Sequence, residues 1–72
     1  MSEQLRNGLR EERERRGLTQ ADLAHRVGVS RKTINTIENL VFFPSALLAL
    51  KLARDLDKHV EDLFWISSDD QT

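Results

Sequence analysis

Leu18 to Asn39 reads LTQADLAHRVGVSRKTINTIEN, and its spacing of small and apolar residues decides the fold. Thr19 is a natural N-cap, and Asp22 three residues on can return the hydrogen bond as a shortened capping box. Leu23, Ala24 and Val27 then share one helical face. Gly28 ends that helix where a left-handed residue is wanted, and Ala24 is small enough for a second helix to cross closely. Val29 plugs the turn, Ser30 caps the next helix, and Ile34 and Ile37 face inward from it. Arg31, Lys32, Thr33, Asn35 and Thr36 are left pointing outward. Two short helices crossing at a tight turn make a helix-turn-helix over residues 20–38. The outward residue types suit DNA bases and phosphates.

The flanks are read outward from this core. On the N-terminal side, Asn7 can cap a helix that starts near Gly8, leaving Ser2–Arg6 as an extended arm. The alternative has Ser2 as the cap of one continuous helix; the first reading is favoured because Asn7-Gly8 is a poor helix interior. Leu9 to Arg16 is then a helix ended by Gly17, whose run REERERR reads as a solvated, salt-bridged face. The interleaved Glu11, Glu12 and Glu14 would cancel the field of an RNA-binding arginine cluster. On the C-terminal side, Ser45 caps a helix carrying Leu47, Leu48, Leu50, Leu52, Ala53 and Leu56, apolar on more than one side and expected as the central strut. Asp57-Lys58-His59 is a turn, Val60 to Phe64 a short fifth helix, Trp65-Ile66 extended, and Ser67 to Thr72 a polar tail.

Composition sets the limits. Seventy-two residues make one domain, near the size at which a single core is marginal without help. There is no cysteine, which excludes disulfides and thiolate metal sites. No apolar run is long enough for a membrane span and MSEQLRNGLR is too polar for a signal sequence, so the expected location is cytoplasmic. The net charge is −1, but residues 1–38 hold eight Lys/Arg against six Asp/Glu, and residues 39–72 three against six. The motif therefore lies in the more basic half, and bulk charge implies weak non-specific DNA affinity.

Gln20, Leu23, Ala24, Gly28, Val29, Ser30, Ile34, Ile37, Glu38 and Asn39 together give Q-x-x-L-A-x-x-x-G-V-S-x-x-T-I-x-x-I-E-N. This pattern resembles the Cro/repressor (Xre) family of bacterial and phage DNA-binding regulators. The likeness continues through Pro44-Ser45 and ALKLA to VEDLF, about Leu9 to Phe64. It implies an all-α, lambda-repressor-like five-helix bundle, with a short C-terminal β-strand as an option. In the family the loop after the second motif helix carries glycine where this chain has Leu40, and commonly a cation where it has Val41. The helix should then end without glycine, with Asn39 left-handed, and one phosphate contact is expected to be missing. Phe42 fits the family's aromatic position and is expected in the core. The apolar run Leu40, Val41, Phe42 and Phe43 is read either as cover for the gap before the fourth helix or as a contact surface for a protein partner.

By the family's pattern, Arg31, Lys32, Asn35 and Thr36 are the candidates for base edges in the major groove. Arg31 or Lys32 would face a guanine and Asn35 an adenine. Gln20, Thr33 and Asn39 are candidates for the DNA backbone, with local structure as the alternative for Gln20 and Asn39. Glu38 is read as structural, since a carboxylate there would repel phosphate. Leu63, Phe64, Trp65 and Ile66 are more apolar surface than a small domain buries alone, so a homodimer through residues 60–67 is expected; the other reading has Trp65 closing the monomer core. His25 and His59 lie apart, no catalytic constellation is visible, and neither cofactor nor metal is expected. The function implied is a homodimeric regulator, most simply a repressor on a pseudo-palindromic operator, bound to the nucleoid when engaged. An antitoxin, a restriction-modification controller or a protein-interaction module remain the alternatives.

Overall fold

The computed structural model describes residues 3–68. In chain order these form β1 (Glu3–Asn7), α1 (Leu9–Arg15), α2 (Gln20–Val27), α3 (Arg31–Glu38), α4 (Ala46–Asp55), α5 (Val60–Leu63) and β2 (Phe64–Ser68). The expected Ser2 cap and the far end of the polar tail, residues 69–72, lie outside the described residues. None of the described helices is long and apolar enough to cross a membrane.

The N-terminal arm is a strand. β1 pairs antiparallel with β2 in a register that runs from Glu3 opposite Ser68 to Asn7 opposite Phe64. The alternation of the pleat turns Leu5 toward the core, while Arg6 and Trp65 stand together on the other face. Asn7 then ends the arm. Its Oδ1 accepts from the Leu9 N–H at 3.1 Å, which starts α1, and its Nδ2 donates to the Ile37 carbonyl at 3.2 Å, which ties the arm to the end of α3.

The core is made by Leu9, Leu23, Ala24, Val27, Ile34, Ile37, Leu48, Leu52, Ala53, Leu56, Leu63 and Phe64. Every helix contributes, α2, α3 and α4 at helical spacing and α1 and α5 through Leu9 and Leu63, and burying such a side chain fully stabilises by about 1.5–3 kcal/mol. The caps of the motif form as the residues dictate. Thr19 and Asp22 make a reciprocal capping box, and Ser30 and Ser45 accept from Thr33 and Leu48.

Four structural findings correct the sequence expectations. The run REERERR is not wholly solvated: Glu12 and Arg13 are buried. Glu12 accepts from Arg16 at 2.8 Å and from Arg15, and these bonds hold its carboxyl below the ordinary range against the opposing effect of burial. α4 is buried on one face only, so Leu47 and Leu50 are exposed. The left-handed residue that ends α3 is Leu40, at φ 63°, and not Asn39, at φ −92°. The Val41 N–H reaches the Thr36 carbonyl at 2.9 Å and the Leu40 N–H that of Ile37 at 3.1 Å, the closure usually built on glycine. Asp57, at φ 56°, ends α4 in the same way. Finally, Phe42 and Phe43 stay out of the core, because the chain leaves Leu40 in a direction that carries both rings outward; they are 47% and 59% exposed.

Candidate nucleic-acid interface

α2 and α3 cross at the Gly28 turn, where φ is 79° and the Val29 N–H closes onto the Ala24 carbonyl at 3.0 Å. Ile34 and Ile37 are fully buried, which fixes the rotation of α3 about its axis. The opposite face must then meet solvent. Arg31, Lys32 and Asn35 are exposed on it, and Thr33 and Thr36 are half-buried. Both threonines are committed locally. The Thr36 hydroxyl donates within its own helix, to the Lys32 and Thr33 carbonyls at 3.0 Å, and the Thr33 and Ser30 hydroxyls share a bond of 3.0 Å.

The charges sort into two sets. Arg10, Arg13, Arg15, Arg16 and Arg26 are each paired to a carboxylate. Arg31 and Lys32, by contrast, have no carboxylate partner among the described residues. Arg6, Lys51 and Arg54 also lack an ion pair among the described residues, but on other elements; the two unpaired cations of α3 sit together at its start, where a groove-reading helix presents its first residues. Beside them Val41 and Phe42 line a shallow hollow with Ser30, Lys32, Thr33 and Thr36. Leu40 and Phe43 turn the other way and face Glu3, Gln4 and Leu5. The apolar loop is therefore split, with one half at the edge of the recognition face and the other against β1.

Beneath the exposed face lies a polar seam, of which the sequence showed only the structural role of Glu38 and not its partners. The side chain of Glu38 is fully excluded from solvent. Arg13 from α1 grips it with two bonds, Nε to Oε2 at 2.6 Å and Nη2 to Oε1 at 3.1 Å, and also donates to the Leu18 carbonyl at 2.9 Å. Gln20 Nε2 from α2 donates to Glu38 Oε1 at 3.1 Å, and Arg10 Nε lies 3.4 Å from the same oxygen. Burial pushes the Glu38 carboxyl up, but the hydrogen bonds from Arg13, Gln20 and Arg10 outweigh it and hold the group below the usual carboxylate range. The same pair raises the Arg13 guanidinium above its ordinary value. Three helices are thus locked to one carboxylate. Arg10 and Arg13 could not be singled out beforehand, because nothing in their spacing points to a partner some twenty-five residues away.

The seam reaches the surface through amides. Gln20 Nε2 also donates to Asn35 Oδ1 at 3.1 Å, and Asn39 Nδ2 donates to that oxygen at 3.1 Å. Asn39 Oδ1 in turn accepts from Arg10 Nη2 at 3.0 Å. Gln20, Asn35 and Asn39 are therefore brought together. Of the apolar C-terminal residues, Leu63 and Phe64 are buried within their own chain, whereas Trp65 and Ile66 are 44% and 67% exposed, the Trp65 ring lying over Gly8. His25 and His59 are exposed in separate elements, and the described residues hold no cluster of metal-ligating side chains.

Comparison with known proteins agrees with this geometry. Residues 9–63 match the helix-turn-helix family. An HTH-type transcriptional regulator of Methanothermobacter thermautotrophicus is 46% identical over 66 residues, covering 90% of this chain and 96% of its own. The regulator YgzD of Bacillus subtilis is 38% identical over 65 residues, covering 90% and 98%. The two relatives come from an archaeon and a bacterium, so likeness to this chain extends beyond the bacterial and phage regulators of the resemblance. Among solved structures, the restriction-modification controller protein C.AhdI from Aeromonas hydrophila superposes with a TM-score of 0.70 at 35% identity, over 75% of this chain and 78% of that one.

Proposed function

This chain belongs to the Xre/Cro-type helix-turn-helix transcriptional regulators, and on that premise we propose that it is a homodimeric repressor that occupies a pseudo-palindromic operator. The observation that carries the reading is the outer face of α3, where Arg31, Lys32 and Asn35 are exposed and both cations lack a carboxylate partner among the described residues. Arg31 and Lys32 read base edges, each contact contributing about 1–3 kcal/mol of discrimination. Thr36, with its hydroxyl turned back into the helix, offers the bases mainly its methyl group. Thr33 and the amides at the start of α2 meet phosphate, whereas Gln20 and Asn39 act by holding Asn35 as much as by touching the backbone.

The dimer contact is the exposed Trp65-Ile66 edge of β2, since Leu63 and Phe64 serve their own core. A two-fold contact there sets two copies of α3 one helical turn apart, about 34 Å. The test is selection of bound sequences from a random duplex pool, repeated with Arg31→Ala. A palindromic consensus that relaxes at one position per half-site supports the reading. No enrichment at low salt defeats it. A second reading is favoured by the likeness to C.AhdI, a restriction-modification controller protein: this chain is such a controller, and its operator is the promoter of its own gene. Enrichment of sequences from the DNA upstream of the chain's own gene distinguishes that role from repression of a distant gene.

A further inference from the structure

We infer that Asn35 is held as a hydrogen-bond donor only, and that it therefore reads a guanine and not the adenine its residue type suggests. This deepens the operator reading above and rests on it. An asparagine recognises adenine with both ends of its amide, the oxygen accepting from N6 and the nitrogen donating to N7. That requires a free oxygen.

In this chain the oxygen is taken. Asn35 Oδ1 accepts from Gln20 Nε2 and from Asn39 Nδ2, both at 3.1 Å, which fills its two lone pairs. The direction of these bonds cannot be reversed, because an ion fixes each end of the chain. At one end Glu38 can only accept, so the Gln20 group beside it at 3.1 Å is the amide nitrogen, whose second hydrogen goes to Asn35. At the other end Arg10 can only donate, so the Asn39 atom facing it at 3.0 Å is the oxygen, and its nitrogen points to Asn35. Two independent relays give the same polarity.

The Asn35 nitrogen is then the only end of the amide open to DNA, with no acceptor for it among the described residues. In the major groove guanine presents two adjacent acceptors, O6 and N7, within reach of one amide nitrogen. Adenine places its N6 donor beside N7, against a filled oxygen, cytosine presents a donor, and thymine offers O4 alone beside a methyl group. Arg10 and Gln20 are thus positioning residues for specificity, although neither faces the base.

The experiment selects operators with the full chain, with Asn35→Ala, and with Gln20→Ala combined with Asn39→Ala, each variant checked for helical content. The expected result is guanine at the one position per half-site that relaxes in Asn35→Ala. The double variant, which frees the oxygen, should move that position toward adenine by about tenfold in relative affinity. Any other base at the Asn35-dependent position in the unmodified chain overturns the inference while leaving the operator reading intact. A pool that enriches nothing overturns both. Should the double variant fail to fold, 7-deazaguanine at that position decides: loss of about tenfold for the unmodified chain and none for Asn35→Ala supports the guanine contact, and no loss for either defeats it.

Discussion

The seam under α3 and the apolar loop before α4 have exchanged the places that residue type would assign them. Glu38 and Arg13 are interior, while Val41, Phe42 and Phe43 are on the surface. The difference lies in what surrounds each group. A charge can be buried when another element brings it a partner of opposite sign with good geometry, as Arg13 does with two bonds to Glu38. An apolar side chain reaches the core only if the backbone aims it there, and the left-handed Leu40 aims this loop away. In a domain of this size, direction and partnership decide burial as much as hydrophobicity.

The strongest way to break the contrast is Glu38→Ala. It strands Arg13 and should cost about 3–5 kcal/mol in urea denaturation, as loss of one member of a buried pair does. Almost as large is the difference between two leucines of one helix. Leu52→Ala, fully buried, should cost about 2–5 kcal/mol, while Leu50→Ala, 57% exposed, should stay within about 0.5 kcal/mol.

Acid probes the same seam more gently. The folded Glu38 carboxyl lies below its unfolded value of about 4.3. Its contribution is therefore complete above about pH 4.3 and is lost as pH falls through the depressed folded value. Glu12 is lowered too and adds with the same sign. Urea midpoints should be flat from neutral pH to about pH 5 and drop below it, and Glu38→Gln should shallow the drop. The smallest effects test the helix ends. Asp57→Gly should stabilise by about 0.5–1 kcal/mol by relieving a positive φ, and Gly28→Ala should destabilise by about 1 kcal/mol through backbone strain alone, since nothing lies within 4 Å of the added carbon.

What was legible in the sequence was what is local. Thr19, Asp22, Gly28 and Ser30 act on neighbours within a turn of helix, so their roles follow from spacing, as do the buried Ile34 and Ile37 and the exposed Arg31, Lys32 and Asn35. The seam was not legible. Arg13 and Glu38 meet across 25 positions, and an arginine beside glutamates reads the same whether it faces solvent or a distant carboxylate. Leu40 and Asp57 were missed for a different reason, since neither carries the glycine that marks a left-handed end. For the interface this means that the recognition face could be read from periodicity, but the donor polarity imposed on Asn35 could not, because three elements must be assembled to produce it.

The pairing of β1 with β2 also bears on how the chain reaches this structure. Arg6 and Ser67, bonded across the ladder, are 61 positions apart, whereas the capping and packing of α2 and α3 link residues close in sequence. Local contacts form fastest, and the entropy of closing a long loop must be met before its contacts return anything. The recognition unit should therefore assemble early and the two strands zip together last. Folding probed by Trp65 fluorescence would then lag behind helix formation followed by circular dichroism, and strand mutations would chiefly change the unfolding rate.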